Sequence, residues 1–443
     1  MLATLALSGF LATACSPAST SLESIGDEST PGASETSDSS GTPTSAQTPT
    51  PAPPPTSVPS PTPVERVDVQ GRVVSAVNGV GLPRVVVSAG NSAVTTDADG
   101  RFVLADIEAL SEISVRRPAW KPLTVSAPSG STAPTLTLEI EPITVKGLRV
   151  ARDVAADLAS FDQLLALAEG TVVNTLVFDT KDEDDEVLYE TDVEFAHEIG
   201  AVNPVYDPTA YIAEAKARGY YTVTRIVTFE DPLWAAADPN AKLAGSWIDA
   251  ADPQNWEYPL ALADEACALG FDEVQFDYVR FPAGETAAIA RGLVPETEAE
   301  RAAVISAFLD EARSRLHAHG CGISAAIFGI VMSSETDERL GQTPETISAV
   351  VDAVSPMLYP SHYSPGWLGF QDPNDHPGPV IAFALDEGEP RLAPDSLVRP
   401  WIQGFFYNGS QVQAQIAEAD SRGAGWIIWN VFGEYRRDWL PLE

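Results

Sequence analysis

The sequence predicts an α/β protein: a (β/α)8 TIM barrel preceded by a small all-β sandwich and a disordered Pro/Ser/Thr-rich linker. Three observations carry this prediction. Over 146–443, apolar strand-like runs alternate with helical stretches that stop at glycine. Over 64–145, short β-branched runs are separated by Gly, Asn and Asp. Over 16–63, Ser, Thr, Pro and acidic residues displace nearly all large apolar side chains.

The chain has 443 residues, and at roughly 150 residues per domain that is about three units. It carries 26 Lys+Arg against 63 Asp+Glu, a formal charge of −37. Nucleic-acid binders need a basic footprint, so no nucleic-acid partner is expected. The same charge opposes docking on anionic lipid heads. The 3 Cys give neither a zinc spacing nor a disulfide framework. Cys267 and Cys321 read as separate buried structural residues. No G-x-G-x-x-G follows a first strand and no P-loop is present, so no nucleotide or other cofactor is expected.

Taken in order, residues 1–15 form an apolar run ended by small residues and Cys15. The run is shorter than the roughly 20 residues that span a bilayer, and it reads as the end of a secretory signal. ATAC at 12–15 resembles a bacterial lipobox, with Ala12 where Leu is usual. This implies export, lipidation at Cys15 and an extracellular or cell-surface location, with membrane contact only through that anchor. Residues 16–63 include PTPAPPPTSVPSPTP, a composition that stiffens a tether toward an extended spacer.

Residues 64–145 contain VDVQGRVVSA, RVVVSAG and AVTTDADGRFVLADI, short strands of a sandwich. TTDADGRF suits a hairpin turn, with Gly100 supplying positive φ. These runs resemble the carboxypeptidase regulatory-like domain, which implies an accessory module without chemistry. Asp97 and Asp99 belong to that turn rather than to a calcium site.

The barrel strands are expected in VKGLRVA, VVNTLVFDT, YYTVTRIVTF, EVQFDYVRF, CGISAAIFGI, AVSPMLYP, RPWIQGFF and AGWIIWNVF. Helices between them are expected over 161–168, 209–218, 255–269 and 296–319, each followed at once or within two residues by glycine. Active sites of such barrels form where the strands end. Those ends carry Asp179 and Lys181, then Arg225 and Asp231, then Gln275, Asp277 and Arg280. Further along come Tyr359 and His362, Trp401, and Trp429 with Glu434. Acids, cations and aromatic rings on one rim suit a poly- or oligosaccharide, whose ring faces pack on aromatics and whose hydroxyls bind polar groups.

Glycosidic cleavage needs a proton donor and a second carboxylate. Asp277 is the first candidate, because a charge late in an apolar parallel strand is costly unless it faces a polar site. Strand alternation puts Gln275, Asp277 and Val279 on one face and Tyr278 on the other. The competing role is an ion pair with Arg280 or Arg225. Asp179 is the tentative partner, held ionised by Lys181 on its own face. Asp231 before Pro232 is a third candidate, or a turn cap. Glu335, Asp337 and Glu434 read mainly as solvated loop acids. Lys181, Arg225, Gln275, Arg280, Tyr359, His362, Trp401 and Trp429 are the candidate substrate-binding residues. His317 and His319, two apart on a helix, do not share a face, so no metal is expected.

The stretches NTLVFDTKD, GFDEVQFDYVRFP, FGIVMSSETDERLGQ and VSPMLYPSHY resemble the family described as "Putative glycosyl hydrolase domain". The resemblance implies a carbohydrate-active barrel with Asp277 as the fourth-strand carboxylate. Asp179, Lys181, Arg225, Asp231, Arg280, Tyr359 and His362 match motif positions without assigned roles. In the fifth strand an acid common in the family is replaced by Ala326. Two functions are therefore expected in competition: glycoside hydrolysis by two carboxylates, or glycan binding by an inactive barrel.

Overall fold

The computed structural model describes residues 64–130 and 135–443. The signal-like segment, Cys15 and the linker over 16–63 lie outside the described residues. Among the described residues no helix is long and apolar enough to cross a membrane.

The N-terminal part is all-β. A three-stranded sheet pairs Arg66–Ser75 with Arg101–Glu108 and Leu136–Ile140. A four-stranded antiparallel sheet contains Val86–Ala89, Ser92–Thr95, Glu112–Arg116 and Leu123–Ser126. Alternate residues such as Val69, Val73, Val87, Phe102, Leu104, Ile113 and Val115 form one buried cluster. At the TTDADGRF turn, Asp97 Oδ1 accepts the amides of Asp99 and Arg101, while Gly100 adopts φ 80°. Asp97 thus serves its own turn through Oδ1.

The rest closes into a parallel barrel of eight strands. We number them β1 (Lys146–Arg149), β2 (Thr175–Lys181), β3 (Tyr221–Val227), β4 (Glu273–Asp277), β5 (Gly322–Phe328), β6 (Ala353–Leu358), β7 (Trp401–Gln403) and β8 (Trp426–Trp429). Each pairs in parallel with its neighbours, and β8 returns to β1. Seven lie within the apolar runs, and β2 extends one residue past its own, to Lys181. Every residue of β2 and β4 is buried, as expected of parallel strands covered on both faces.

Local signals set the helices. Asp157 caps Leu158–Ala168, and Thr297 with Glu300 forms a capping box on Glu298–Ala318. Glu257–Leu269 stops at Gly270, whose φ of 109° no ordinary side chain adopts readily.

One expectation about cysteine is corrected. Cys267, late in the helix Glu257–Leu269, is disulfide-bonded to Cys321 at the start of β5, with Cα atoms 5.9 Å apart. The 54-residue separation hid this pairing, because β4 intervenes in the chain between this helix and β5, and only the folded barrel brings them together.

The barrel interior is layered along β4, whose alternate residues face inward. At the base, Glu273 pairs with Arg399 at 2.6 Å. One step up, the Gln275 amide donates to the Ser324 and Ser355 hydroxyls and accepts from Trp401 Nε1 at 2.8 Å. At the top stands Asp277.

Candidate active site

Asp277 ends β4 beside a cavity of about 550 Å³ at the barrel mouth. That volume suits a few sugar-sized rings. Asp277 Oδ2 accepts Arg225 Nε at 2.9 Å and lies 2.8 Å from Arg225 Nη2, while Oδ1 accepts the Tyr278 amide at 2.7 Å. The Asp277–Arg225 ion pair weighed from the sequence is therefore present, but Asp277 still lines the cavity.

The expected strand alternation fails directly after Asp277. Tyr278 has φ 51°, a left-handed conformation that is strained for a bulky residue. β4 ends there, and Tyr278 lines the cavity alongside Asp277 while Val279 packs into the apolar core. Burial pushes the Tyr278 hydroxyl up to about 12.

A second carboxylate faces the same cavity. Glu183, in the acidic loop after β2, accepts Arg149 Nη2 at 2.9 Å and lies 3.0 Å from Arg225 Nη2. Asp277 Oδ2 and Glu183 Oε1 thus lie 2.8 and 3.0 Å from one nitrogen, so they are at most about 6 Å apart. Burial alone would raise Glu183, but Arg225 and Arg149 outweigh it and hold the carboxyl below its ordinary range. Arg225, which burial would weaken as a cation, is kept firmly charged by Glu183, Asp277 and Asp179.

Sequence reasoning missed Glu183, one of several acids in KDEDDE, and Arg149 at the end of β1. The signal available was position: both stand where a barrel strand runs out.

Asp179 does not line this cavity. Its side chain is 0% exposed, clamped by Arg149 at 2.6 Å and Arg225 at 3.0 Å. Burial raises its carboxyl, and the two guanidiniums oppose that rise. Lys181 is not its partner either. The register shifts by one residue at this end of β2, and Lys181 turns to Asp231 at 3.1 Å and Asp185 at 3.6 Å. Asp231 is fully buried; it also caps the helix Pro232–Ala237 by accepting the Trp234 amide at 2.7 Å. Gln275 lies one layer below the cavity, where it orients Trp401. Arg225, Arg280, Tyr359, His362, Trp401 and Trp429 all line the cavity.

The aromatic wall is built from strand tips. Trp401 and Trp429 meet edge to face at 5.3 Å, and Tyr359 meets His362 in the same way at 5.2 Å. The Arg149 and Arg225 guanidiniums lie 4.3 and 5.0 Å over the Trp429 ring. Burial lowers the His362 imidazole, favouring its neutral form. Ala326 is buried in the barrel interior beside Tyr359 and Trp401.

The other acids do not line this cavity. Asp337 takes both prongs of Arg301 at 2.7 Å, while Glu335 and Glu434 are exposed loop residues. His317 pairs with Asp352 at 2.9 Å, and His319 faces Asp264 at 3.7 Å. Among the described residues no three His, Cys, Asp or Glu side chains converge as a metal site.

The family described as "Putative glycosyl hydrolase domain" matches residues 147–435, nearly the whole barrel. The chain belongs to that family. The barrel of this glycosyl hydrolase-like protein is similar to the PgaB (BpsB) glycoside hydrolase domain from Bordetella bronchiseptica. Identity is 12% and the TM-score 0.50, covering 68% of this chain and 99% of that one. A hypothetical protein from Ruminiclostridium thermocellum is 28% identical over 40% of this chain and 96% of its own, with a TM-score of 0.35. A chitinase from Chromobacterium violaceum is 13% identical over 67% of this chain and 96% of its own, with a TM-score of 0.41. No curated protein matches.

Proposed function

We propose that this protein is an exported glycoside hydrolase that cleaves a poly- or oligosaccharide with Asp277 and Glu183. The observation that carries the reading is the pair of carboxylates facing one aromatic-walled cavity, their nearest oxygens at most about 6 Å apart. Spacing near 5–5.5 Å goes with retention, and roughly 6.5–9.5 Å with inversion, so the pair favours retention. Asp277 acts on the anomeric carbon as nucleophile or electrostatic stabiliser. Glu183 carries the proton to the leaving oxygen, the role the sequence suggested for Asp179. Water then restores both groups.

An adjoining hollow of about 590 Å³ shares Tyr359, His362 and Trp429 with the cavity. It adds Phe406, 87% exposed, and Phe432, 64% exposed. Rings at this spread give further sugar units a surface, which supports a chain-like substrate.

Export rests on the signal-like segment 1–15, and the Cys267–Cys321 disulfide supports an oxidising compartment. Lipidation of Cys15 tethers the protein at the cell surface. The β-region serves as an accessory carboxypeptidase regulatory-like module.

Two observations favour glycan binding without turnover. Glu183 is held below its ordinary range by two arginines, and the fifth strand carries Ala326 where an acid could stand. The test is product release by the full chain on a panel of bacterial and plant glycans. Asp277→Asn and Glu183→Gln should each cut turnover on the order of 100-fold or more. Wild-type turnover should rise as pH falls from 7 toward 4.5, because Glu183 must take up a proton. Undiminished turnover in Asp277→Asn removes that residue from the mechanism. Binding without new reducing ends in the wild type leaves the non-catalytic reading.

A further inference from the structure

We propose that the cavity selects a carboxylate-bearing sugar, with Arg280 as the side chain that receives the carboxylate. This rests on the sugar-binding reading above and narrows it to a substrate class.

Arg280 follows β4 by three residues, lines the cavity and is 7% exposed. Three rings cover the faces of its guanidinium: Phe328 at 4.3 Å, Trp247 at 4.5 Å and Tyr278 at 5.1 Å. Stacked this way, the group can bind only through its edge. A single protein contact uses that edge, Nη1 donating to the Phe281 carbonyl at 3.1 Å.

The contrast with the other buried arginines is clear. Arg117, Arg149, Arg225, Arg301 and Arg399 each meet a carboxylate within 3.0 Å. Among the described residues no carboxylate lies within salt-bridge distance of Arg280. A buried cation without a partner is costly, and the cost is relieved if a ligand brings the missing charge. None of its nitrogens is a sealed, unpartnered atom, so the free N–H groups reach the cavity.

The two lining carboxylates do not neutralise Arg280, because Arg225 and Arg149 already hold them. A guanidinium edge matches a carboxylate with two parallel hydrogen bonds. The overall charge of −37 opposes an anionic ligand only at long range. At physiological ionic strength that repulsion is screened beyond about 8 Å.

The experiment is calorimetric binding by the full chain at fixed salt. The ligands are galacturonate and glucuronate oligomers and an N-acetylmuramic acid disaccharide, each against its carboxyl-reduced counterpart. The uronate and muramic arms separate a ring carboxylate from a lactyl one. At least one acid should bind on the order of tenfold to a hundredfold more tightly than its reduced form. Arg280→Met should erase that ratio while leaving the reduced sugar bound, and Arg280→Lys should keep part of it. A purely packing role would weaken both forms alike.

Equal binding of acid and reduced sugar by the wild type overturns this inference alone. So does a ratio that survives Arg280→Met. Binding of neither form overturns this inference, and the sugar-binding reading falls with it only if the glycan panel is also blank. If Arg280→Met fails to fold, the wild-type pairs and Arg280→Lys still decide.

Discussion

Arg225→Met is the most informative single perturbation of the site. The Arg225 side chain is 1% exposed and touches Asp179, Asp277 and Glu183 at 2.8–3.0 Å. Removing one partner of a buried ion pair costs about 3–5 kcal/mol, because the other charge is left stranded. Methionine replaces the packing but not the charge, so most of that cost should remain. Its pH dependence is the diagnostic part. In the wild type, Glu183 lies below its ordinary 4.5, so it contributes stability above that value and loses it as pH falls through the folded value. In the variant, Arg149 still holds Asp179 and Glu183, but Asp277 has lost its cation. Burial and like charge then raise the carboxyls, and folding loses free energy as pH climbs past the ordinary carboxylate range. Raising one carboxyl by two pH units is worth about 2.7 kcal/mol in all, part of it already lost at pH 5, so two groups each raised that far make the deficit about 3 kcal/mol larger at pH 8 than at pH 5. Urea unfolding of both proteins at the two pH values measures it. A deficit of the same size at both would refute the electrostatic account and leave Arg225 as packing.

Two further outcomes follow from geometry outside the mouth. Replacing Cys267 and Cys321 together by Ser frees a loop spanning 54 residues, and chain entropy sets the expected loss at about 4 kcal/mol in urea unfolding. An unchanged midpoint would show that the bond contributes nothing. Asp185 is pushed up from 3.8 to about 7 by burial, with Lys181 opposing and Asp231 adding to the rise. The folded state keeps that proton after the unfolded chain has lost it, so stability falls as pH climbs from 3.8 to about 7. Asp185→Asn should flatten this slope, and its thermal midpoint relative to wild type should be higher at pH 8 than at pH 5.

Much of the fold is legible in the sequence. The barrel strands sit in apolar runs, only β2 overshooting its own by Lys181, because a parallel strand buried on both faces admits few polar residues. Asp277 is legible for the same reason, as a charge where the strand should be apolar. Glu183 is not, because five acids in six residues all look solvated until the loop is folded over two arginines. Lys181 misleads because strand alternation holds only while the register does, and the register shifts at that residue. Tyr278 misleads in the same way, since one left-handed residue reverses which side chain meets the cavity. The disulfide is hidden because chain separation says nothing about which helix returns to which strand.

The sandwich grips the barrel far from the cavity. Arg84 and Arg117 both reach Asp395 at 3.2 and 2.8 Å, and Asn78 donates to the Pro394 carbonyl, in the segment that leads into β7. That segment lies where strands begin, whereas Asp277, Tyr359 and Trp429 stand where they finish. Within residues 64–443, the contacts with the β-region and the cavity thus lie at opposite ends of the barrel strands. A change on the side that holds the β-region therefore need not reach the side chains around the cavity.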